Sequence, residues 1–320
     1  MGRIGDESSA QAADQDVGEI LACLVVRDEA VRLPSVLAHH RALGVDRFIV
    51  VDDGSTDGTV AYLEAQPDVR LVQAEYRYAA RHRGVDWLNH ILDAFCDGHW
   101  TLTLDADELF VFPSCEHVGL KALCGHLDRH GARAVMSLMI DMYGSGDVTE
   151  AVHPPTAPLL QTCPWFDPGP YHAVRAGPFP HVQFSGGPRA RLFDFSPYQP
   201  RPPVLTKAPL VRWEKGTRYL LSTHAITPTP LYPMLAALLH FKFLSDFPER
   251  VARAVAEGQY YGGSQEYRAY KDLLDRGAGL RLRDERSVRY AGTQQLINLE
   301  IMYADAAYEA FAAEQAAAQA

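Results

Sequence analysis

Cysteine is scarce in this sequence. The 320 residues include only Cys23, Cys96, Cys115, Cys124 and Cys163, and no two of them have CxxC spacing. An odd number of cysteines without that spacing argues against a disulfide framework and against a zinc site built from cysteines. Reduced thiols are typical of cytosolic proteins, so the sequence predicts a cytoplasmic protein.

Long apolar runs are also lacking. The longest, residues 231–244, is too short for a membrane span and contains His240 and Lys242. Residues 1–18 are polar and acidic without an apolar core, which predicts a disordered leader rather than a signal peptide. We therefore expect no membrane-spanning segment, while peripheral contact with a membrane surface stays open.

Basic residues are outnumbered. Thirty Lys and Arg face forty Asp and Glu, and the formal net charge is -10. Nucleic-acid binding needs a basic surface, so we expect no nucleic-acid partner. A local basic pocket for an anionic ligand remains compatible with this charge.

Short apolar runs alternate with amphipathic helical patterns as far as residue 140. The first helix is marked by Pro34 near its start and Gly44 at its end. Alternation of strands and helices predicts an α/β fold, with a mostly parallel sheet and helices on both faces. The predicted strands are residues 20–26, 47–51, 69–72, 100–104 and 134–140.

The pattern changes after residue 140. Residues 141–230 are rich in Pro, Gly and aromatic residues, and helices are expected from residue 231 onward. We expect a leader (1–18), a main domain (19–230, with halves 19–140 and 141–230) and a helical C-terminal extension (231–320). Within the second half, the strand candidates are residues 191–195, 210–213 and 220–223.

Carboxylates follow three of the predicted strands. Because the carboxyl ends of parallel strands meet at one edge of a sheet, these side chains are expected to share one cleft. Like charges so close together repel, which favours a bound cation and hydroxyl-bearing ligands. The carboxylates are Asp28 and Glu29, Asp52 and Asp53, and Asp105, Asp107 and Glu108.

Asp105 and Asp107 form a DxD motif that leaves a strand into a turn. Mg²⁺ and Mn²⁺ prefer oxygen ligands and combine one or two carboxylates with ligand phosphates. We interpret the motif as a Mn²⁺ or Mg²⁺ site, the alternative being that these residues cap the next element.

Phosphates bound beside such a metal also need cationic partners. Of the basic residues ahead of the DxD strand, Arg81 is predicted to contact a bound phosphate. The other candidates are Arg77, Arg83, Arg189, Arg191, Lys207 and Arg212, each of which could equally be a solvated surface residue.

Three blocks of the sequence resemble family 2-type glycosyltransferases with the GT-A fold. They are residues 24–29 (LVVRDE), 48–59 (FIVVDDGSTDGT) and 101–109 (TLTLDADEL). The continuation DADELFVF is similar to a branch of the family in which Glu and a hydrophobic run follow the DxD. The resemblance covers the chain as far as about residue 140. The order and spacing of the three blocks make it specific to the family.

The resemblance implies a nucleotide-sugar donor, expected to be a UDP-sugar, in the cleft. Arg27, Asp28 and Glu29 would then lie near the base, and Asp52 or Asp53 would bind the base or ribose. It also implies that Asp105 approaches the ribose, or the metal through water, and that Asp107 ligates the metal.

Such folds often complete the metal site with a downstream histidine. His224, at the end of a strand-like run, is the preferred candidate. His240 lies in an apolar pattern read as helical, where a buried core histidine is expected.

The family's usual acidic pair for the catalytic base is not recognisable here. Asp141, at the end of the predicted strand 134–140, is the candidate base, and capping of the following loop is the competing interpretation. Asp147 and Glu150 are alternatives.

The predicted function is metal-dependent and inverting transfer of a sugar to a hydroxyl of a glycan or lipid-linked acceptor, in surface polysaccharide or glycan synthesis. Two alternatives stay open. One is an aspartate-based phosphohydrolase, since a strand ending in DxD also opens that class. The other is a non-catalytic nucleotide-sugar or glycan-binding module on the same scaffold.

Overall fold

A computed structural model describes residues 17–73, 84–175, 182–193, 203–220, 222–258, 261–277 and 279–318. Most of the expected leader lies outside these residues. Arg77, Arg81 and Arg83 also lie outside them, so their predicted contacts with phosphate are not described.

Of the twelve strands in the described residues, ten form one sheet, and β8 and β9 form a separate antiparallel pair. In the ten-stranded sheet the strand order is β12-β7-β6-β10-β4-β1-β2-β3, with β11 beside β6 and β5 beside β11. The strands are β1 (Ile20–Val26), β2 (Arg47–Asp52), β3 (Val69–Gln73), β4 (Trp100–Leu104), β5 (Glu108–Val111), β6 (Ala134–Tyr143), β7 (Trp165–Phe166), β8 (Tyr171–Arg175), β9 (Val182–Gly186), β10 (Thr206–Arg212), β11 (Leu231–Phe243) and β12 (Val288–Arg289).

Strands β3, β2, β1 and β4 are parallel, as predicted. β10 is antiparallel to both β4 and β6, so β4 and β6 point the same way. β11 is parallel to β6. The sheet is therefore mixed, yet the carboxyl ends of β1, β2, β4, β6 and β11 share one edge. The amino-terminal ends of the antiparallel β5 and β10 lie at this same edge.

Three elements differ from the sequence-based expectation. Residues 231–243 form a strand rather than a helix, because this mostly apolar run is buried between two neighbouring strands of the sheet. The expected boundary at residue 230 thus falls at the start of a sheet strand. Residues 187–192 are helical where a strand was expected at 191–195. Where a strand was expected at residues 220–223, the described residues 220, 222 and 223 lie in bends and a turn. Tyr219 and Ile226 form an isolated bridge.

The first helix has the predicted ends: Pro34 lies in its first turn, and Gly44 ends it with a left-handed φ of 104°. That conformation costs glycine little. The helices are α1 (Leu33–Leu43), α2 (Thr59–Glu64), α3 (Gly84–Phe95), α4 (Leu120–Arg129), α5 (Leu159–Thr162), α6 (Gly187–Leu192), α7 (Phe247–Glu257), α8 (Tyr261–Asp275), α9 (Thr293–Asn298) and α10 (Ala306–Ala317).

Helices cover both faces of the parallel half of the sheet. Ala22 and Leu24 of β1 pack in a core that includes α1 and α4, whereas Leu21 and Cys23 pack in a second core with α3. This alternation confirms that β1 is buried on both sides. All five cysteines are free, as expected. Among the described residues, no helix has the length and apolar character to cross a membrane.

Candidate active site

Charged side chains converge at the carboxyl edge of the sheet. Parallel pairing places His240 of β11 opposite Asp141 of β6, and antiparallel pairing places His240 opposite Glu108 of β5. Asp105 and Asp107 lie between the end of β4 and the start of β5. The structure therefore brings the DxD motif, the carboxylate of β6 and a histidine together, as the strand directions require.

His240 is held between two carboxylates. Its Nδ1 lies 2.7 Å from Oδ1 of Asp141, and its Nε2 lies 3.5 Å from Oδ2 of Asp107. The other oxygen of Asp141 accepts a hydrogen bond from Nε of Arg189 at 2.7 Å. All four side chains are buried. Their contacts therefore fix the geometry of the row Asp107–His240–Asp141.

The neighbouring charges shift the pKa values of His240, Asp107 and Asp141. Burial lowers the pKa of a histidine, but Asp107 and Asp141 outweigh it and raise the pKa of His240 to about 9. Burial raises the pKa of a carboxyl, yet His240 together with Arg250 and Arg32 holds the pKa of Asp107 far below its usual range. Arg189 and His240 likewise lower the pKa of Asp141 against the effect of burial.

A second group lies around Asp105. Nζ of Lys207 is 2.5 Å from Oδ2 of Asp105 and 2.6 Å from Oε1 of Glu108. The other oxygen of Glu108 accepts the backbone N–H of Asp105 at 3.0 Å. Burial lowers the pKa of Lys207, but the two carboxylates outweigh it and raise it, so the lysine is charged.

His224, the predicted metal ligand, lies beside this second group. Its Nδ1 is 2.6 Å from the carbonyl oxygen of Thr206, to which it donates. Burial and the charge of Lys207 lower the pKa of His224 to about 4, so it is neutral. Within the part of the chain that the structure describes, His224 forms no hydrogen bond or ion pair with Asp107, whereas Nε2 of His240 faces Oδ2 of Asp107.

The predicted base-binding residues between β1 and α1 are engaged by α7. Four ion pairs join the two segments and form a ladder of alternating charge. Asp28 also accepts a hydrogen bond from the backbone N–H of Thr56 at 2.7 Å. The ion pairs are Arg27–Glu257, Asp28–Arg253, Glu29–Arg250 and Arg32–Asp246.

Asp52 and Asp53 lie at the end of β2, as predicted. Both oxygens of Asp52 accept backbone N–H groups of its own turn, from Gly54 and Ser55. Asp53 is partly buried and its backbone N–H donates to Val26. The turn brings both residues to the carboxyl edge of the sheet.

Asp147 and Glu150 lie beyond β6, where they form a capping box around a short 3₁₀ helix. Asp147 also accepts the backbone N–H of Leu280 at 2.6 Å. Both residues line a cavity of about 480 Å³ together with Gln161 and Thr162. Their carboxylates thus have structural partners already.

Sequence reasoning gave too little weight to two residues of the site, His240 and Lys207. His240 and Lys242 interrupt an otherwise apolar run, and two polar residues in a buried strand are the signal that marked them. Lys207 was one of several basic candidates, and nothing in the sequence shows that it would reach Asp105 from an antiparallel strand.

A metal must be tested against these donors. In the described ranges, no three or more His, Cys, Asp or Glu side chains are grouped so as to hold a metal ion. Two ligands are nevertheless well placed: cis ligands of an octahedral Mg²⁺ or Mn²⁺ lie roughly 3 Å apart, and Nε2 of His240 is 3.5 Å from Oδ2 of Asp107. A ligating histidine commonly donates its other N–H to a carboxylate, as His240 does to Asp141. The donor set fits an ion completed by phosphate and water.

The α/β sheet thus carries a group of acidic side chains at the carboxyl ends of its parallel strands. Residues 23–137 match the family described as "Glycosyl transferase family 2". The match runs from β1 into β6, and over that part of the chain it confirms the predicted resemblance.

Individual relatives match shorter parts of the chain. A TPR repeat-containing protein of Synechococcus elongatus is 35% identical over 95 residues, which cover 29% of this chain and 21% of the relative. The chain therefore spans about a fifth of that relative's length.

Among solved structures, S. aureus TarS is 18% identical, covers 40% of this chain and 38% of its own, and has a TM-score of 0.32. Glucosyl-3-phosphoglycerate synthase from Mycobacterium tuberculosis, solved with Mn²⁺ and uridine-diphosphate-glucose, is 26% identical. That match covers 42% of this chain and 46% of the synthase, with a TM-score of 0.28.

Proposed function

We propose that this protein is a metal-dependent glycosyltransferase that moves a sugar from a nucleotide sugar to an acceptor hydroxyl. The observation that carries the proposal is the row Asp107–His240–Asp141 at the carboxyl edge of a family 2 segment. We take a UDP-sugar as the donor, a glycan or lipid-linked molecule as the acceptor, and an inverting displacement as the reaction.

Asp107 and His240 are the proposed metal ligands. This choice replaces His224 by His240, because His240 faces Asp107 and its Nδ1 is already oriented by a carboxylate. Bound there, a divalent cation would neutralise charge on the leaving diphosphate. The local charge supports this. Among the described residues, the ion pairs of the four carboxylates of Asp105, Asp107, Glu108 and Asp141 include two permanently charged side chains, Lys207 and Arg189.

Asp141 remains the predicted catalytic base, but its geometry favours another role. Its side chain is 1% exposed, and its two oxygens are bound by His240 and Arg189. A base must reach the acceptor hydroxyl directly or through one water. We therefore propose that Asp141 orients His240 and stabilises its ligating geometry.

A thermal-shift panel of nucleotides and nucleotide sugars, with and without Mn²⁺, tests the function. A ligand at 100 times its Kd stabilises a protein by about 2.7 kcal/mol, which is readily measured. We expect a Mn²⁺-dependent shift with a nucleoside diphosphate, and slow Mn²⁺-dependent hydrolysis of the matching nucleotide sugar. Absence of a shift with every nucleotide contradicts the proposal, and hydrolysis of generic phosphoesters instead would favour a phosphohydrolase.

Variants separate the two histidines. Asp107→Asn and His240→Ala should each abolish the Mn²⁺-dependent part of the shift, because each removes a proposed ligand, while His224→Ala should keep it. Glu285→Gln, at an exposed carboxylate, is the matched control. Circular dichroism checks that each variant is folded. If His224→Ala lost the Mn²⁺-dependent shift and His240→Ala kept it, His224 rather than His240 would be the metal ligand.

Asp141→Asn tests the orienting role. Loss of a carboxylate behind a ligating histidine typically weakens metal binding by about 10–100-fold. We expect a Mn²⁺ titration of nucleotide binding to move to higher concentration by about that factor, with saturation restored at high Mn²⁺. A normal Mn²⁺ midpoint combined with lost transfer activity would instead favour Asp141 as the base.

A further inference from the structure

Lys207 is a buried lysine at the proposed donor site. Its side chain is 3% exposed, and it enters from the amino-terminal end of β10, between β4 and β6. Removing an ammonium group from water is costly unless the group is paired. Asp105 and Glu108 supply the partners, so the three side chains form one unit.

This unit restrains Asp105 at two points. Lys207 holds Oδ2 of its carboxylate, and the buried Glu108 accepts its backbone N–H. The Asp105 side chain is nevertheless 61% exposed. Among the described residues, its Oδ1 has no protein partner. One oxygen is thus fixed by the protein, and the other is presented to the cleft.

We propose that Lys207 is a positioning residue for the donor nucleotide: by holding Oδ2 of Asp105 it presents Oδ1 to a ribose hydroxyl. The inference rests on the proposed function. An exposed carboxylate normally loses rotamer freedom when it binds a ligand, and a carboxylate that is already restrained loses less. Lys207 therefore acts on affinity through Asp105 and does not contact the nucleotide itself.

A double-mutant cycle tests this dependence. Lys207→Met alone would leave Glu108 as an unpaired buried carboxylate, so the cycle is built on Glu108→Gln. The four proteins are E108Q, E108Q/K207M, E108Q/D105N and E108Q/K207M/D105N. Calorimetric titration with UDP in the presence of Mn²⁺ gives the affinity of each, and urea unfolding checks that each is folded.

We expect E108Q/K207M to bind UDP on the order of tenfold more weakly than E108Q. E108Q/D105N should show a similar loss, and the triple variant should be no weaker than E108Q/D105N, because Lys207 has nothing to position once Asp105 is replaced. Lys271→Met, at a half-exposed lysine paired with Asp275, is the control and should bind normally.

Two results overturn the inference. One is an unchanged affinity in E108Q/K207M, which assigns Lys207 to stability alone. The other is a loss of UDP affinity in the triple variant that equals the product of the losses in E108Q/K207M and E108Q/D105N. Lys207 would then act independently of Asp105, by direct contact with the nucleotide. If the methionine variants do not fold, Lys207→Arg in the natural background decides: retained charge should leave UDP affinity within about threefold of the natural protein, and a larger loss overturns the inference. If the natural protein binds no nucleotide, the proposed function itself fails.

Discussion

His40 and His240 are both buried, yet their surroundings favour opposite protonation states. Nδ1 of His40 donates to the carbonyl oxygen of Val36 at 2.8 Å, and its Nε2 accepts the backbone N–H of Phe110 at 3.2 Å. Burial and the neighbouring His39 lower its pKa well below the usual value. His240 faces two carboxylates instead, and its pKa is raised. Burial lowers the pKa of both histidines, and only at His240 do carboxylate partners outweigh it.

His40 should therefore weaken the fold in acid. The unfolded chain binds a proton near pH 6.5 and the native His40 does so only at lower pH, so the unfolded state takes up more protons as pH falls below about 6.5. Stability from this residue is complete above that pH and decreases below it, by at most about 1.4 kcal/mol per pH unit.

His40→Gln isolates the effect from the other histidines. We expect it to cost about 1–3 kcal/mol at pH 7.5, because one amide group cannot replace both hydrogen bonds of the buried ring, to Val36 and from Phe110. Its free energy of unfolding should then decline less steeply than that of the natural protein between pH 7 and 5. Urea unfolding at several pH values measures the free energy of unfolding of both proteins. If the two free energies declined equally with falling pH, His40 would not be the source of the acid sensitivity.

At the scale of elements, α7 is the helix that packs over the proposed donor edge. Its ladder of ion pairs covers the loop between β1 and α1, which carries Arg27, Asp28 and Glu29. The pairs differ in burial: Arg250–Glu29 is mostly buried, while Arg27–Glu257 is only half-buried. Solvent-screened pairs contribute little to stability, whereas breaking a buried pair leaves a charge without compensation.

Two substitutions should rank these pairs. Arg250→Met leaves the buried Glu29 with Arg32 alone and should cost about 3 kcal/mol. Glu257→Gln should cost about 1 kcal/mol or less. Urea unfolding at low and high salt compares them, and a larger cost for Glu257→Gln would show that the exposed end of the ladder holds α7 in place.

At the scale of the whole molecule, β11 unites the two halves of the sequence. It pairs with β6 and β5, and nearly all its residues are buried. The expected helical extension therefore contributes a strand to the middle of the sheet as well as the histidine of the site.

A fragment ending at residue 230 should accordingly fail to fold. Without β11, the apolar faces of β5 and β6 would be exposed, together with one side of each strand's backbone hydrogen-bonding groups. We expect residues 17–230 to show no cooperative urea transition, unlike residues 17–320. A cooperative transition of the fragment would support the domain boundary that the sequence suggested.

The sequence predicted the first half of the fold closely. Strands β1 and β4 have the expected bounds, and α1 ends at the expected glycine. Local signals were sufficient there, because parallel strands buried on both faces read as continuous apolar runs. The run 231–244 was misread as helical, since a short apolar run does not by itself distinguish a buried strand from a buried helix.

By itself, the sequence determined the α/β class, the resemblance to family 2 glycosyltransferases and the gathering of Asp105 and Asp107 at one edge, because these follow from local patterns and strand direction. Only the tertiary structure decided which distant residues complete that edge. His240 and Lys207 reach it on β11 and β10, which come from far along the chain. Strand pairing over such separations depends on the packing of the whole sheet, and no local pattern encodes it.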